Sequence, residues 1–115
     1  MYTALKRILK AFVYSYDGFK SGFKNEVAFR QEAFLVIVLT ALAFYFDVSG
    51  LERALMLASA FFILIVELIN SALEAVVDRI SLERHELSKR AKDYGSAAVL
   101  ISIINCALIW MAILY

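Results

Sequence analysis

Four polar side chains interrupt an apolar run in the middle of the chain, and their types and spacing point to chemistry. They are Glu67, Asn70, Glu74 and Asp78, which form a polar stripe among residues that are mostly Leu, Ile, Ala and Val. Because a helix advances about 100° per residue, spacings of three, four and four residues keep the polar stripe on one helix face. Ionisable groups at membrane depth usually face a bundle interior or a watery cavity and mark a functional site.

The chemistry that suits these residues is magnesium-assisted phosphoryl transfer. Carboxylates at Glu26 and Glu74 are hard oxygen ligands, and Mg²⁺ in proteins typically binds one or two carboxylates, substrate phosphates and several waters. The basic side chains that could neutralise a polyphosphate are Arg7, Lys89, Arg90 and Lys92. Glu67 lies two turns deeper in the apolar run than Glu74. At that depth it could accept the proton of an attacking lipid hydroxyl, the one acid–base step that such a transfer needs.

The composition requires a membrane to position these residues. Of 115 residues, 63% are hydrophobic and none is proline, which is far too apolar for a small soluble domain. The pattern therefore predicts one all-α membrane domain. Its predicted parts are an amphipathic surface helix at 1–25, transmembrane helices at 27–46, 54–77 and 96–115, and a charged link at 78–95. Trp110 and Tyr115 are expected as interfacial anchors near the end of the last helix.

The distribution of positive charge predicts the orientation of the chain. Six of the twelve Lys and Arg residues precede the first long apolar run, five lie in the 78–95 link, and only Arg53 lies in the intervening turn. The positive-inside rule therefore puts the amino terminus and the link in the cytoplasm and the carboxyl terminus outside. The net charge is +1 and no segment is strongly basic, so nucleic acid is not expected as a partner. Three spans enclose little interior, which favours an oligomer.

Three segments carry a family resemblance. The strings NEVAFRQE (25–32), VELINSALEAVVDR (66–79) and HELSKRAKDYGSAAVL (85–100) resemble the signature segments of the small prokaryotic integral-membrane diacylglycerol kinases. Neither a P-loop nor the Gly-rich loop of a protein kinase occurs in the sequence. The resemblance implies a lipid kinase in the bacterial inner membrane that converts diacylglycerol and ATP into phosphatidic acid and ADP. It also implies a homotrimer whose active sites are shared between neighbouring subunits.

The resemblance implies a role for individual residues as well. Glu26 and Glu74 would bind Mg²⁺ with ATP, and Glu67 would be the catalytic base. The residues implied at the nucleotide are Arg7, Tyr14, Glu26, Asn70, Glu74, Asp78, Glu83, His85, Lys92 and Asp93. Those implied at the lipid substrate or along its path are Arg7, Gln31, Arg53, Glu67 and Ser96. Relatives that phosphorylate undecaprenol tend to read HPLAK within the link, whereas this chain has HELSK at 85–89, so diacylglycerol is favoured and undecaprenol is the alternative.

Plain structural roles compete with these assignments. Glu67, Glu74 and Asn70 could serve as hydrogen-bonding contacts between helices, and burial alone does not decide between that role and catalysis. In the link, Glu86 with Arg90 and Lys89 with Asp93 have i,i+4 spacing, so that this charge could simply support an exposed helix.

Two other functions compete with the kinase. A small proton-coupled exporter would also be an oligomer with a membrane-embedded glutamate. It should, however, have a fourth span in place of the surface helix and a key glutamate near the bilayer midplane. A non-enzymatic structural subunit would use the polar stripe only for assembly and would not need Glu26. The kinase hypothesis accounts for more of the polar residues than either alternative.

Overall fold

Four α-helices follow one another along the chain. The structure is a computed structural model that describes residues 2–115. The helices are α1 (Tyr2–Asn25), α2 (Val27–Tyr45), α3 (Gly50–Ile80) and α4 (Glu86–Leu114), and no strand occurs in the described residues. A helix satisfies its backbone polar groups internally, which is what an apolar chain in lipid requires. The all-α fold expected from the sequence is confirmed.

Three of the helices are long and apolar enough to cross a membrane, namely α2, α3 and α4. A hydrocarbon core of about 30 Å needs about 20 helical residues. The α2 helix, with 19 residues, is close to that length, whereas α3 has 31 residues and α4 has 29. Both longer helices extend past the predicted spans, because no proline interrupts them and their polar ends remain compatible with a helix.

The corner between α1 and α2 is held by aromatic packing and by one arginine. Phe29 is fully buried, its ring meets the Phe23 ring at a centroid distance of 4.9 Å, and its edge packs on Gly22. The Arg30 guanidinium donates hydrogen bonds to the carbonyls of Phe23 at 2.8 Å and Lys24 at 3.4 Å. These are two of the carbonyls that the end of α1 leaves without a helical partner. The result is a fixed bend with Glu26 at its apex.

The turn between α2 and α3 has its own capping groups. Ser49 and Glu52 form a capping box, in which the Ser49 hydroxyl accepts from the Glu52 amide and the Glu52 carboxylate accepts from the Ser49 amide. From the first turn of α3, the Arg53 guanidinium donates to the carbonyls of Ala43 at 2.9 Å and Phe46 at 3.2 Å. It therefore caps the carboxyl end of α2.

The core lies between α3 and α4, where the most extensive helix contact occurs. Trp110 is 8% exposed and its indole N–H donates to the Met56 carbonyl at 3.2 Å. Ser59 donates to the same carbonyl at 2.8 Å and lies 3.5 Å from the Cys106 sulfur. The prediction that Trp110 is an interfacial anchor is wrong, because its ring and its N–H are both used inside the helix pair. Tyr115 is fully exposed at the chain end.

Candidate active site

The polar stripe begins in the protein interior and becomes exposed along α3. Glu67 is 3% exposed and Asn70 is 7% exposed, although the neighbouring side chains of Ile65, Ile69 and Leu73 all face outward. One turn further on, Glu74 is half-buried, and the stripe ends at Asp78, which is exposed. The helix thus presents a buried carboxylate and an accessible one on the same face. Because Glu67 and Asp78 are eleven residues apart, a rise of 1.5 Å per residue separates them by roughly 16 Å.

Hydrogen bonds within α3 connect parts of the stripe. The Ser71 hydroxyl donates to the Glu67 carboxylate at 3.4 Å, and the Asn70 amide donates to the Glu74 carboxylate at 3.4 Å. The Asn70 carbonyl oxygen, Oδ1, is buried and has no hydrogen-bond partner among the described residues. An unpartnered buried acceptor is costly and calls for an explanation. The neighbour of that oxygen is Gly95 of α4.

The start of α4 brings basic residues to the exposed end of the stripe. Lys92 reaches across from α4 and donates to the Asp78 carboxylate at 2.8 Å, whereas Lys89 pairs with Asp93 on its own helix at 2.7 Å. The hydrogen bond to Asp78 raises the pKa of Lys92 and so favours its charged form. Arg90 pairs with Glu86 on α4. The simple helix-supporting role therefore describes Lys89 and Arg90 but not Lys92.

A cleft opens between the end of α3 and the start of α4. Its volume is about 340 Å³, and its walls include five residues predicted to bind the nucleotide, namely Asp78, Glu83, His85, Lys92 and Asp93. The His85 ring caps α4, since its Nδ1 accepts from the Leu87 amide at 3.0 Å. These five predicted nucleotide residues lie within one stretch of the chain, residues 78–93, and line the same polar opening.

Other predicted residues lie away from this cleft. Arg7 and Tyr14 are exposed on α1 and border a shallow depression with Lys6 and Lys10. Within residues 2–115, no hydrogen bond or ion pair links either residue to α3 or α4. Gln31 on α2 and Ser96 on α4 are exposed as well.

Arg53 has a different position from the other predicted lipid residues. Its guanidinium is engaged with the end of α2. It is fourteen residues before Glu67 on the same helix, which corresponds to about 21 Å along the axis. The structure of one chain does not bring Arg53 together with the polar stripe.

Glu26 is placed at the bend that joins α1 to α2. It occupies the position before the first turn of α2, yet its carboxylate makes no capping hydrogen bond to that helix. It is half-buried. The side chains that ordinarily bond to the first helical amides from this position are those of Ser, Thr, Asp and Asn. The carboxylate of Glu26 is not used in capping α2.

Glu32 makes a contact with Glu67 that was not predicted from the sequence. Its carboxyl group, on α2, faces the carboxyl group of Glu67 on α3. One of its oxygens, Oε2, is buried and has no hydrogen-bond partner among the described residues. Little in the sequence indicates this contact, because Glu32 lies in a polar segment where functional roles were predicted for Glu26 and Gln31 instead.

These features together define a class of protein. An all-α membrane chain carries a buried carboxylate within a helix long enough to cross a membrane and a polar cleft at the end of the same helix, as expected of an enzyme that acts on a lipid with a water-soluble co-substrate. The profile of the prokaryotic diacylglycerol kinase family matches residues 13–114. The chain is 55% identical over 112 residues to a diacylglycerol kinase of Pseudomonas aeruginosa, covering 97% of this chain and 91% of that one.

Two further relatives give the same result. A diacylglycerol kinase of Escherichia coli K12 is 49% identical, with coverage of 98% of this chain and 93% of the relative. One from Haemophilus influenzae is 47% identical, with coverage of 98% and 96%. The chain belongs to the prokaryotic diacylglycerol kinase family. The resemblance seen in the sequence is thereby confirmed, as is the expectation of an ATP-dependent lipid kinase in a bacterial membrane, and neither the exporter nor the structural subunit is favoured.

Proposed function

We propose that this kinase transfers the γ-phosphate of ATP to the free hydroxyl of diacylglycerol on the polar stripe of α3, with Glu67 as the base. The lipid oxygen forms a bond to the γ-phosphorus, and the bond from that phosphorus to the β,γ-bridging oxygen breaks. The proton of the hydroxyl passes to the Glu67 carboxylate, and the products are phosphatidic acid and ADP. The observation that carries this assignment is the near-complete burial of a carboxylate in a helix that is long and apolar enough to cross a membrane.

The cleft at the end of the stripe suits the nucleotide. Its lining includes the Lys92 ammonium, the His85 ring and the carboxylates of Asp78, Glu83 and Asp93. A nucleotide bound there would direct its phosphates toward Glu74 and Asn70, which lie between the cleft and Glu67. Phosphoryl transfer depends chiefly on such positioning and on charge neutralisation.

An apolar cavity suits the lipid. Its volume is about 330 Å³, and it lies among α1, α2 and α3, lined by Phe19, Phe23, Phe29, Val36, Phe61 and Leu64 among others. Leu64 is one helical turn before Glu67, so an acyl chain in this cavity would hold its glycerol end close to the base. Gln31 and Ser96, both predicted near the lipid, are candidates for contacts with the polar end of the substrate.

Mg²⁺ is implied by the use of ATP, and the donor set fits it. Within residues 2–115 of one chain, no three Asp, Glu, His or Cys side chains converge on one point. Magnesium does not require such a cluster, because one or two carboxylates, phosphates and water complete its coordination. Glu26, whose carboxylate is not used in capping, and the half-buried Glu74 are the residues that would hold the ion. When bound, it neutralises charge on the phosphates.

We propose a homotrimer with shared sites and a cytoplasmic amino terminus. Arg7 and Tyr14 are remote from the cleft of their own chain, so a role at the nucleotide requires that they reach the cleft of a neighbour. Many large apolar side chains of α2, α3 and α4 are exposed, for example Phe34, Phe44 and Leu100. Lipid and subunit contacts together would cover them. The charge distribution described above supports the orientation.

The test is transfer of labelled phosphate from ATP to diacylglycerol and, in parallel, to undecaprenol, in mixed micelles containing Mg²⁺. Glu74→Ala is the variant expected to be inactive. Glu86→Ala is the matched control, because Glu86 is an exposed glutamate whose one ion pair within residues 2–115 is with Arg90. We expect phosphatidic acid from the parent and from Glu86→Ala. Absence of transfer by folded parent protein, or equal rates for the two variants, would contradict the proposal.

A further inference from the structure

The side chain of Asn70 is held at one end only. Its Nδ2 group donates to the Glu74 carboxylate at 3.4 Å, while its buried Oδ1 atom has no donor among the described residues. Asparagine side chains have a broad torsional preference about the bond to the amide group. Something other than hydrogen bonding must therefore keep the Oδ1 end in place.

Gly95 is the residue that lies against this oxygen. A Cβ atom at position 95 would be 3.0 Å from Cγ of Asn70 and would overlap its Oδ1 atom. Gly95 is buried within the 29-residue helix α4, where glycine is less favourable than alanine. This unfavourable glycine occurs at the α4 position where the Asn70 amide fills the space that a side chain would occupy. By contrast, a Cβ at Gly18 or Gly50 would meet nothing within 4 Å.

We propose that Gly95 is a positioning residue for phosphoryl transfer, acting through Asn70. The bare backbone of α4 at this position leaves a slot for the Asn70 amide, and the hydrogen bond to the Glu74 carboxylate selects the orientation in which Nδ2 faces Glu74. Any side chain at position 95 turns the amide away and releases the Glu74 carboxylate. The inference rests on the proposed function, because it presupposes that Asn70 and Glu74 act at the nucleotide phosphates.

The variant Gly95→Ala separates folding from activity. The overlap involves the end of one side chain rather than a backbone, so the fold can respond by rotating Asn70. We therefore expect an unchanged oligomeric state and helical content, but a kcat lower by about tenfold to about a hundredfold, as a misplaced group near the reacting atoms produces. The control is Gly18→Ala, which makes the same change in open space and should keep kcat within about twofold of the parent.

A double-mutant cycle identifies Asn70 as the intermediary. In an Asn70→Ala background the overlap is absent, so adding Gly95→Ala should change kcat by less than about twofold. An equal loss in both backgrounds, or a parent-like kcat for Gly95→Ala in the parent background, would overturn the inference. If Gly95→Ala lowers the thermal midpoint of the parent, the same cycle is measured on the midpoint. If adding Gly95→Ala to Asn70→Ala leaves the midpoint unchanged, the inference is supported. If Gly95→Ala lowers the midpoint equally in both backgrounds, the inference is overturned.

The same measurements distinguish failure of this inference from failure of the proposed function. Parent-like activity of Asn70→Ala would contradict the proposed role of Asn70 and, with it, the role of Gly95. Parent-like activity of Gly95→Ala beside a strongly impaired Asn70→Ala would overturn the role of Gly95 alone.

Discussion

Replacing Glu67 with glutamine tests the proposed base with almost no change in shape. The side chain is 3% exposed, so its environment is the protein interior and not water. Glutamine retains an oxygen that can accept the hydrogen bond from Ser71, which spans 3.4 Å in the parent. It also replaces a buried carboxylate that faces the carboxyl group of Glu32 with a neutral amide. What is lost is the ability to accept a proton.

The expected effect on the rate is much larger than any expected loss of stability. A positioned general base contributes about 10²-fold to 10⁴-fold to a rate, which corresponds to roughly 3–5 kcal/mol of transition-state stabilisation at about 1.4 kcal/mol per tenfold. The free energy of unfolding should not fall by more than about 1 kcal/mol, the contribution of one hydrogen bond. It should rise if the burial of charge dominates, because an uncompensated buried carboxylate is costly.

The assay is steady-state transfer from labelled ATP to diacylglycerol, accompanied by a thermal melt of the same preparation. We expect Glu67→Gln to lower kcat by at least about a hundredfold with little change in KM for ATP, since the cleft is untouched. Glu32→Gln is the matched control: it makes the same chemical change on the facing carboxyl, and its kcat should stay within about tenfold of the parent. A kcat for Glu67→Gln within about threefold of the parent, in folded protein, would refute the assignment of the base.

Three further predictions follow from individual contacts. Lys92→Met should raise KM for ATP by about tenfold while costing less than about 1 kcal/mol of stability, since its ion pair is half-exposed; Arg90→Met, which breaks a pair within α4 and lies outside the lining of the cleft, should leave KM unchanged, and equal effects would contradict the assignment. Trp110→Phe should lower stability by about 0.6–1.7 kcal/mol through loss of the bond to the Met56 carbonyl, with kcat preserved, and an unchanged melt would contradict this. Glu26→Gln should raise the Mg²⁺ concentration for half-maximal rate by at least about tenfold; an unchanged Mg²⁺ titration would exclude Glu26 as a ligand.

The polar stripe shows what a sequence can predict about this site. Glu67 and Asn70 share a face because helical spacing is a local property, and the cost of burying them makes that face point inward. Runs of apolar residues are also a local property, and they predicted the membrane-spanning parts of α2, α3 and α4. Charge spacing alone, however, could not separate Lys89 from Lys92, because whether a lysine bonds to its own helix or to the next one depends on how the helices pack.

The contacts that the sequence did not predict are those made between helices. The burial of Trp110 depends on a carbonyl of α3, and the role of Arg53 as a cap depends on the end of α2. The overlap at Gly95 depends on a side chain twenty-five positions earlier in the chain. None of these partners has a fixed sequence offset, so no periodicity could indicate them.

The length of α3 bears directly on how a single short chain can serve two substrates of opposite polarity. Its 31 residues span about 46 Å at 1.5 Å per residue, which exceeds a hydrocarbon core of about 30 Å. One uninterrupted helix therefore reaches from the apolar interior, where Glu67 is buried, to the polar cleft at Asp78. A lipid hydroxyl and a nucleotide approaching from opposite sides of the interface would meet along its polar stripe. Because no loop separates the two ends, the helix itself fixes the distance between the base and the cleft. Substitutions that bend α3 between residues 67 and 78 should therefore reduce kcat more than they reduce the binding of either substrate.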